Sequence, residues 1–401
     1  MAGDRRVLLA NSIYHLTNDG AVTVMAGQIT VLQATFGFGP FETGLLSGVA
    51  LLITAVFQFV VGVVSDRRDP SRFLPIGILI LGLGSILVAG ASSFLLLLAF
   101  VAISRIGASF YHPVGIAWIG RKFRGDALDR SMGFQSAFGD TGVILGMASG
   151  AVLAVAAGWG SPFLLWGGIN LAAVALGLLL VRGRPSPPAA TEERADFRGM
   201  IRDVRLWLFP LALGGAAFNV VSTFGPPLLK GRFGLSDDGA GVAIALWILA
   251  GAIIAFFFGR VSRRFGRFRT LAASYAFVGV AGLAGAFLGN VALVLAVLWT
   301  LGSALFITYP ALFSFVSEAS HRRLQGAAFG LIFAFQLFGG AAGVFVAGSL
   351  AETFGVTPEL QATIPFLFVG VLLLTGFAYL LVVRRGIEDA RAPADLAVPP
   401  L

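Results

Sequence analysis

The chain has 401 residues, 57% of them hydrophobic and only 12% charged, with a formal net charge of +8. Soluble domains carry roughly 25% charged residues, so one large water-soluble core does not account for this composition, and lipid as the main solvent does. There is no cysteine, which excludes disulfides and cysteine-ligated metal.

In chain order, apolar runs recur at the length that a bilayer requires. A hydrocarbon core of roughly 30 Å takes about 20 helical residues. Helices are predicted near 8–34, 42–64, 73–92, 94–120, 130–157, 161–181, 205–229, 238–260, 270–289, 291–316, 326–352 and 362–383. The alternating segments of a transmembrane barrel are absent from the sequence. The first run starts after Arg5 and Arg6 and is interrupted by Asn11, His15, Asn18 and Asp19. No small-residue cleavage pattern follows it, so it is read as helix 1 and not as a removed signal.

The predicted class is an all-α integral membrane protein of twelve helices in two related six-helix bundles, 1–181 and 205–385. They are joined by a linker at 182–204, rich in Pro185, Pro187, Pro188 and charge, and followed by a tail at 386–401. With the N-terminus inside, the inside segments hold all but Arg105, Lys230 and Arg232 of the 28 basic residues. Positive charge retained in the cytoplasm therefore orients the chain with both termini cytoplasmic. It also explains the net charge without a nucleic-acid partner, since no basic domain stands apart from the membrane. Lipid headgroups are the partner that this charge fits. The near-exclusive use of Arg over Lys, with abundant Ala, suggests a prokaryotic source and its cytoplasmic membrane.

The halves repeat at a constant offset of 197 residues. Gly44 falls on Gly241, Gly62 on Gly259, Ser65 on Ser262 and Arg67 on Arg264. Pro113 falls on Pro310, and Gly133, Gly142 and Gly146 fall on Gly330, Gly339 and Gly343. A single offset from helix 2 to helix 5 marks internal duplication. Repeated halves with a binding site at their interface are an architecture of secondary transporters.

Gly62-Val-Val-Ser-Asp66-Arg67-Arg68, with Arg72 soon after, resembles the signature loop between helices 2 and 3 of the major facilitator superfamily. Its second copy runs Gly259-Arg-Val-Ser-Arg263-Arg264-Phe-Gly266-Arg267, and Arg105 with Gly107 resembles the helix 4 motif. His15-Leu-Thr-Asn18-Asp19 and Ser109-Phe-Tyr111-His112-Pro113 are similar to the fosmidomycin-resistance branch of drug exporters. Two positions depart from that branch: Val114 stands where it often has an acidic residue, and Asp140 where it can have an amide or small residue. The resemblance implies a monomeric transporter whose helices 1 and 4 line a central cavity bordered by helix 5. It also implies that Gly62, Asp66, Arg67, Arg72 and Arg264 form a gating network. The two copies of that network are unlike, because Arg263 stands at the Asp66 position.

An ionisable group in the bilayer costs roughly 2.5–3.5 kcal/mol on insertion scales and needs a reason. His15 and Asp19 share a helix 1 face by their i, i+4 spacing, with Asn18 beside them. Arg105, Ser109 and His112 follow each other along helix 4. Proton coupling is assigned to Asp19, His112 and Asp140, each with a packing alternative. For Asp19 that alternative is a hydrogen bond to Asn18 or His15. For His112 it is a ring capping a carbonyl freed by Pro113. For Asp140 it is an ion pair with Arg105.

Substrate contacts are assigned to His15, Asn18, Arg105, Tyr111, Gln135, Asn219, Tyr309 and Gln336. Arg105 stands either as an anion clamp or as an ion-pair partner of Asp19 or Asp140. Gly139, Gly142, Gly146 and Gly150 run down helix 5 as a close-packing stripe. No metal-ligating histidine spacing, phosphate-cradling loop or external domain points to an enzyme. No cofactor or metal is expected, the energy source being the proton gradient. The function expected is proton-coupled export of small drug-like or metabolite molecules. The alternative is proton-coupled uptake of an organic anion through Arg105 and His112.

Overall fold

The computed structural model describes residues 2–65, 68–123, 125–182, 197–319 and 325–391. All regular structure among them is helical, in twelve spans. The first half comprises α1 (Ala2–Gly27, continued by Ile29–Phe36), α2 (Pro40–Ser65), α3 (Pro70–Ala89), α4 (Phe94–Ala108 to Ile116–Lys122), α5 (Gly125–Ala157) and α6 (Ser161–Val181). The second comprises α7 (Phe197–Phe233), α8 (Asp237–Phe256 and Phe258–Phe265), α9 (Arg267–Phe287), α10 (Val291–Thr300 to Leu305–Ala319), α11 (Gln325–Phe354) and α12 (Pro358–Arg391). Closed helices satisfy their own backbone groups, which lipid cannot do.

Eleven of these spans are long and apolar enough to cross a bilayer. The exception is α1, whose polar run Asn11–Asp19 lowers its hydropathy for the chemistry described below. Helix ends follow local rules. Asp69 caps α3 by accepting from the Ser71 amide at 2.9 Å, with Pro70 in its first turn. Ser236 caps α8 and Asn290 caps α10.

Part of the expected linker differs. Residues 183–196 lie outside the described set, and α7 begins at Phe197, so 197–204 are helical. Likewise α12 runs on to Arg391, into the expected tail. Asp66 and Arg67 lie outside the described residues.

The second half is built on a continuous apolar core from Val204 to Leu380. The first half has two smaller cores, one around Leu46, Leu97 and Trp166, the other around Tyr14, Ile78 and Trp118. The repeat in the sequence is also a repeat in packing, because glycines let paired backbones touch. A Cβ at Gly142 would lie 2.2 Å from the Leu16 carbonyl oxygen, and at Gly146 2.1 Å from that of Gly20. Their repeat mates behave alike: a Cβ at Gly339 would lie 2.1 Å from the Ala212 oxygen, and at Gly343 2.6 Å from the Ala216 side chain. Thus α5 rides on α1 as α11 rides on α7.

The halves meet through α2 against α11 and α5 against α8. The close contacts lie on the side away from the chain start, here the far side. A Cβ at Gly44 would sit 2.5 Å from the Val344 oxygen, at Gly348 2.4 Å from the Pro40 oxygen, and at Gly241 2.3 Å from the Gly27 oxygen. Toward the near side the repeat-related Gly133 and Gly330 are exposed, with nothing within 4 Å of a Cβ. The halves thus touch at backbone distance on the far side, whereas Gly133 and Gly330 face open space on the near side.

Candidate functional site

The polar residues of α1 meet α4 and α5 in one cluster. His15 is the hub. Its Nδ1 lies 2.8 Å from the Gln135 carbonyl oxygen of α5, and its Nε2 lies 3.1 Å from Asp19 Oδ2, one turn along α1. Asn18 Nδ2 donates to Asp19 Oδ1 at 2.9 Å. The ring stacks on Tyr111 with centroids 4.2 Å apart and meets His112 edge-on at 5.5 Å.

The place exists because of two backbone features. At Pro113, which has no amide hydrogen, α4 opens into a π turn, Tyr111–Gly115. Asn11 Nδ2 donates to the Gly115 carbonyl at 2.9 Å across to that turn. Tyr111 then donates toward two acceptors, Asn11 Oδ1 and Gln135 Oε1, each at 2.8 Å. On the other side, Gly139 makes room for the imidazole: a Cβ there would lie 2.4 Å from His15 Nε2. Gly139→Ala is therefore expected to drive His15 off Asp19. Transport would fall sharply while the helix, for which Ala is the better former, stays folded. Circular dichroism alongside a transport assay checks this.

The hydrogen-bond inventory fixes where protons sit. A carbonyl oxygen only accepts, so His15 Nδ1 carries a hydrogen toward Gln135. If that were the pair's only proton, Nε2 and an ionised carboxylate would face each other as two acceptors at 3.1 Å. One more proton between them turns repulsion into a charge-assisted bond. For the contact to be attractive it needs one shared proton, or another cation in its place.

His112 borders the cluster. Its Nδ1 is buried with no hydrogen-bond partner among the described residues. Its ring reaches across to Phe333 of α11, centroids 6.0 Å apart. One ligand atom each from His15, Asp19 and His112 can be chosen so that all lie within 4.8 Å of one another. No local spacing announces this group, because it joins α1 to α4.

Of the two alternatives for Arg105, an anion clamp or an ion pair with Asp19 or Asp140, the ion pair does not form. It is buried at 6% exposure, and its Nη2 donates to the Val22 carbonyl oxygen at 2.7 Å. Neither Asp19 nor Asp140 lies within ion-pair distance, as the guanidinium ties α4 to the α1 backbone instead. Asp140 is exposed and has no ion pair or hydrogen bond among the described residues.

The corresponding surface of the second half is chemically plainer. At the offset of 197, His15 and Asp19 correspond to Ala212 and Ala216. Tyr309 donates to the Gly214 carbonyl at 3.2 Å, and Asn219 to that of Gly215 at 2.9 Å. Gln336 Oε1 is buried without a partner among the described residues. The structure thus gathers His15, Asn18, Asp19, Tyr111, His112 and Gln135, and leaves Asn219, Tyr309 and Gln336 on the other half. Gly62 faces Pro113, 3.6 Å from its position as a Cβ, while Arg72 and Arg264 are exposed, the latter over the Phe265 ring at 5.5 Å.

Asn11, Gly139 and Phe333 belong to the site although sequence reasoning gave them no role in it. Asn11 carries a signal in hindsight: it lies four residues before His15 on the same helix face.

Residues 8–344 match the family model of the Major Facilitator Superfamily. The chain belongs to that superfamily. It is a multi-pass membrane protein with the superfamily's twelve-helix fold. Among curated relatives it is 28% identical over 109 residues to the uncharacterized MFS-type transporter YfnC of Bacillus subtilis (strain 168). It is 31% identical over 107 residues to the fosmidomycin resistance protein of Escherichia coli (strain K12). Each of these two matches covers 27% of this chain, and they cover 27% and 26% of those relatives. Among solved structures, a bacterial homologue of the human lysosomal transporter Spinster superposes with a TM-score of 0.79 at 16% identity, over 96% of this chain and 98% of that one. That likeness concerns the fold.

Proposed function

We propose that this superfamily member is a proton-coupled exporter of small drug-like or metabolite molecules. We place it in the cytoplasmic membrane of a prokaryote, as a monomer with both termini cytoplasmic. The observation that carries the reading is the His15–Asp19 contact, 3.1 Å between two atoms that are acceptors unless a proton lies between them. Placed between halves that touch at the far seam and part on the near side, such a pair can exchange its proton with whichever face it meets.

In this reading the near side is cytoplasmic. Substrate enters beside Asn18, Tyr111 and Gln135 and is faced from the second half by Tyr309, Asn219 and Gln336. Its arrival displaces the shared proton. The halves then rock about the site, and reprotonation from outside resets the pair. Asp140 and His112 serve as neighbouring proton acceptors. Gly62, Asp66, Arg67, Arg72 and Arg264 hold the near side shut in the opposite state. The likeness to a fosmidomycin resistance protein supports export. The anion-uptake reading uses Arg105 as its ligand, and that guanidinium is engaged by the Val22 carbonyl.

The test is a liposome assay with an acidic lumen and a broad panel of external compounds. Exchange predicts accumulation of a substrate as protons leave, collapsing when the gradient is dissipated. Accumulation indifferent to the gradient would overturn the coupling.

A further inference from the structure

Two of the chain's 3 histidines converge on one carboxylate. We propose that His15, Asp19 and His112 form a binding site for a divalent transition-metal ion of the zinc type, carried as cargo alone or as the complex of a small chelating molecule.

The ligand set selects the class of ion. Two imidazoles and a carboxylate suit zinc and its first-row neighbours, whereas magnesium and calcium prefer oxygen alone. His15 is already oriented as a ligand. Metal-bound imidazoles almost always donate their other ring N–H to a carbonyl, carboxylate or water, and His15 Nδ1 does so to Gln135, 2.8 Å away. That leaves its Nε2 lone pair aimed at Asp19. Tyr111 stacks on the ring and fixes its plane.

His112 supplies the third ligand. Its Nδ1 is buried without a hydrogen-bond partner among the described residues, so a ring nitrogen can be turned to the ion without breaking a bond. The three atoms lie within 4.8 Å of each other. A tetrahedral ion with bonds of about 2.0–2.2 Å wants its ligands roughly 3.3 Å apart. The ion must draw the His112 ring in to close that gap.

The charge is right as well. No Arg or Lys pairs with Asp19 among the described residues, Arg105 being turned to the Val22 carbonyl. Three protein ligands leave an exchangeable position, as in zinc sites that act on a substrate, whereas structural sites close with four. A cargo ion needs that open position to enter and leave. Ion and shared proton use the same lone pairs and so exclude each other. The assignment stands on ligand geometry and does not depend on the direction of transport or on proton exchange.

The test uses the purified full chain with any affinity tag removed, titrated with zinc by calorimetry and with cobalt by visible absorption. With no cysteine present, cobalt bands arise from nitrogen and oxygen ligands alone. The expected result is one ion per chain, with binding weakened at least about tenfold by His112→Ala and by Asp19→Asn. His321→Ala, which alters the remaining histidine, leaves it unchanged. His112→Ala is decisive, since it removes a nitrogen that bonds nothing else and so spares the fold. Binding that is equal in wild type and His112→Ala, or no saturable binding, overturns the proposal. Gradient-driven transport of zinc and of the compound panel, each with and without the other, is scored separately. Saturable, His112-dependent binding without such transport upholds the metal site and removes proton exchange. Transport without binding removes the metal site alone.

Discussion

Asp19→Asn is expected to keep the fold while pH-driven accumulation falls to the level of protein-free liposomes. Asn18 Nδ2 donates to Asp19 Oδ1 at 2.9 Å, and an amide oxygen accepts it equally well. Gln135 keeps the hydrogen of His15 on Nδ1, so Nε2 is an acceptor. The new amide N–H donates to that nitrogen, and neutral His15 then needs no further proton. Every polar contact survives and the exchangeable proton is gone. His15→Ala is the instructive contrast. It leaves the Asp19 carboxylate, still bonded to Asn18, without its charge-balancing partner in a buried place, and breaking a buried pair in this way costs about 3–5 kcal/mol. Thermal unfolding in detergent should therefore drop well below wild type for His15→Ala and stay near it for Asp19→Asn. An Asp19→Asn variant that still accumulates substrate against a gradient would move proton carriage away from this pair.

The difference between these two variants also marks what the sequence could convey. That His15 and Asp19 share a face follows from their spacing, and eleven of the twelve spans follow from apolar run length. The duplicated architecture follows from the offset, because glycines that permit backbone contact recur wherever two helices must touch: Gly142 on Leu16, Gly339 on Ala212. What stayed illegible are partners that carry no side-chain signature. The acceptor that fixes His15 is the backbone oxygen of Gln135, and that of Arg105 is the backbone oxygen of Val22. Any residue type would offer the same oxygen, so no pattern of types reveals it. The carboxylates that made an Arg105 ion pair plausible are near mid-depth on neighbouring helices, but rotation about the helix axis decides the pairing. Rotation is set by glycine contacts along α1 and α5. Likewise His112 meets His15 from a π turn that contains Pro113, and the sequence announces the proline without announcing the turn's geometry.

Gly44→Val is expected to open the far seam and shift the transporter toward the opposite state. A Cβ at this position would lie 2.5 Å from the Val344 carbonyl oxygen and 3.3 Å from Phe345 Cα. Those are backbone atoms of α11, so no side-chain rotation relieves the clash and the helices must part. The three atoms nearest to that Cβ all belong to α11, so the strain falls on the seam between the halves. Overpacking of this kind costs about 1–3 kcal/mol. Charged only against the sealed state, that sum shifts a two-state equilibrium roughly 5–150-fold. The absence of cysteine makes the readout clean, because a single introduced thiol is the only one present. Val344→Cys places it on the seam at a fully buried position. Alone, it should react slowly with an impermeant thiol reagent applied to intact cells. Combined with Gly44→Val it should react at least about tenfold faster, for a shift of about 1.4 kcal/mol. Gly241→Val, at the repeat-related seam where a Cβ would lie 2.3 Å from the Gly27 oxygen, should act in the same direction through α8 and α1. Equal reactivity with and without the valine would mean that the seam is not what holds the far side closed. If reactivity rises and exchange is lost, closure of this glycine seam is a required step of the cycle, and the His15–Asp19 proton is delivered to only one face when the step is blocked.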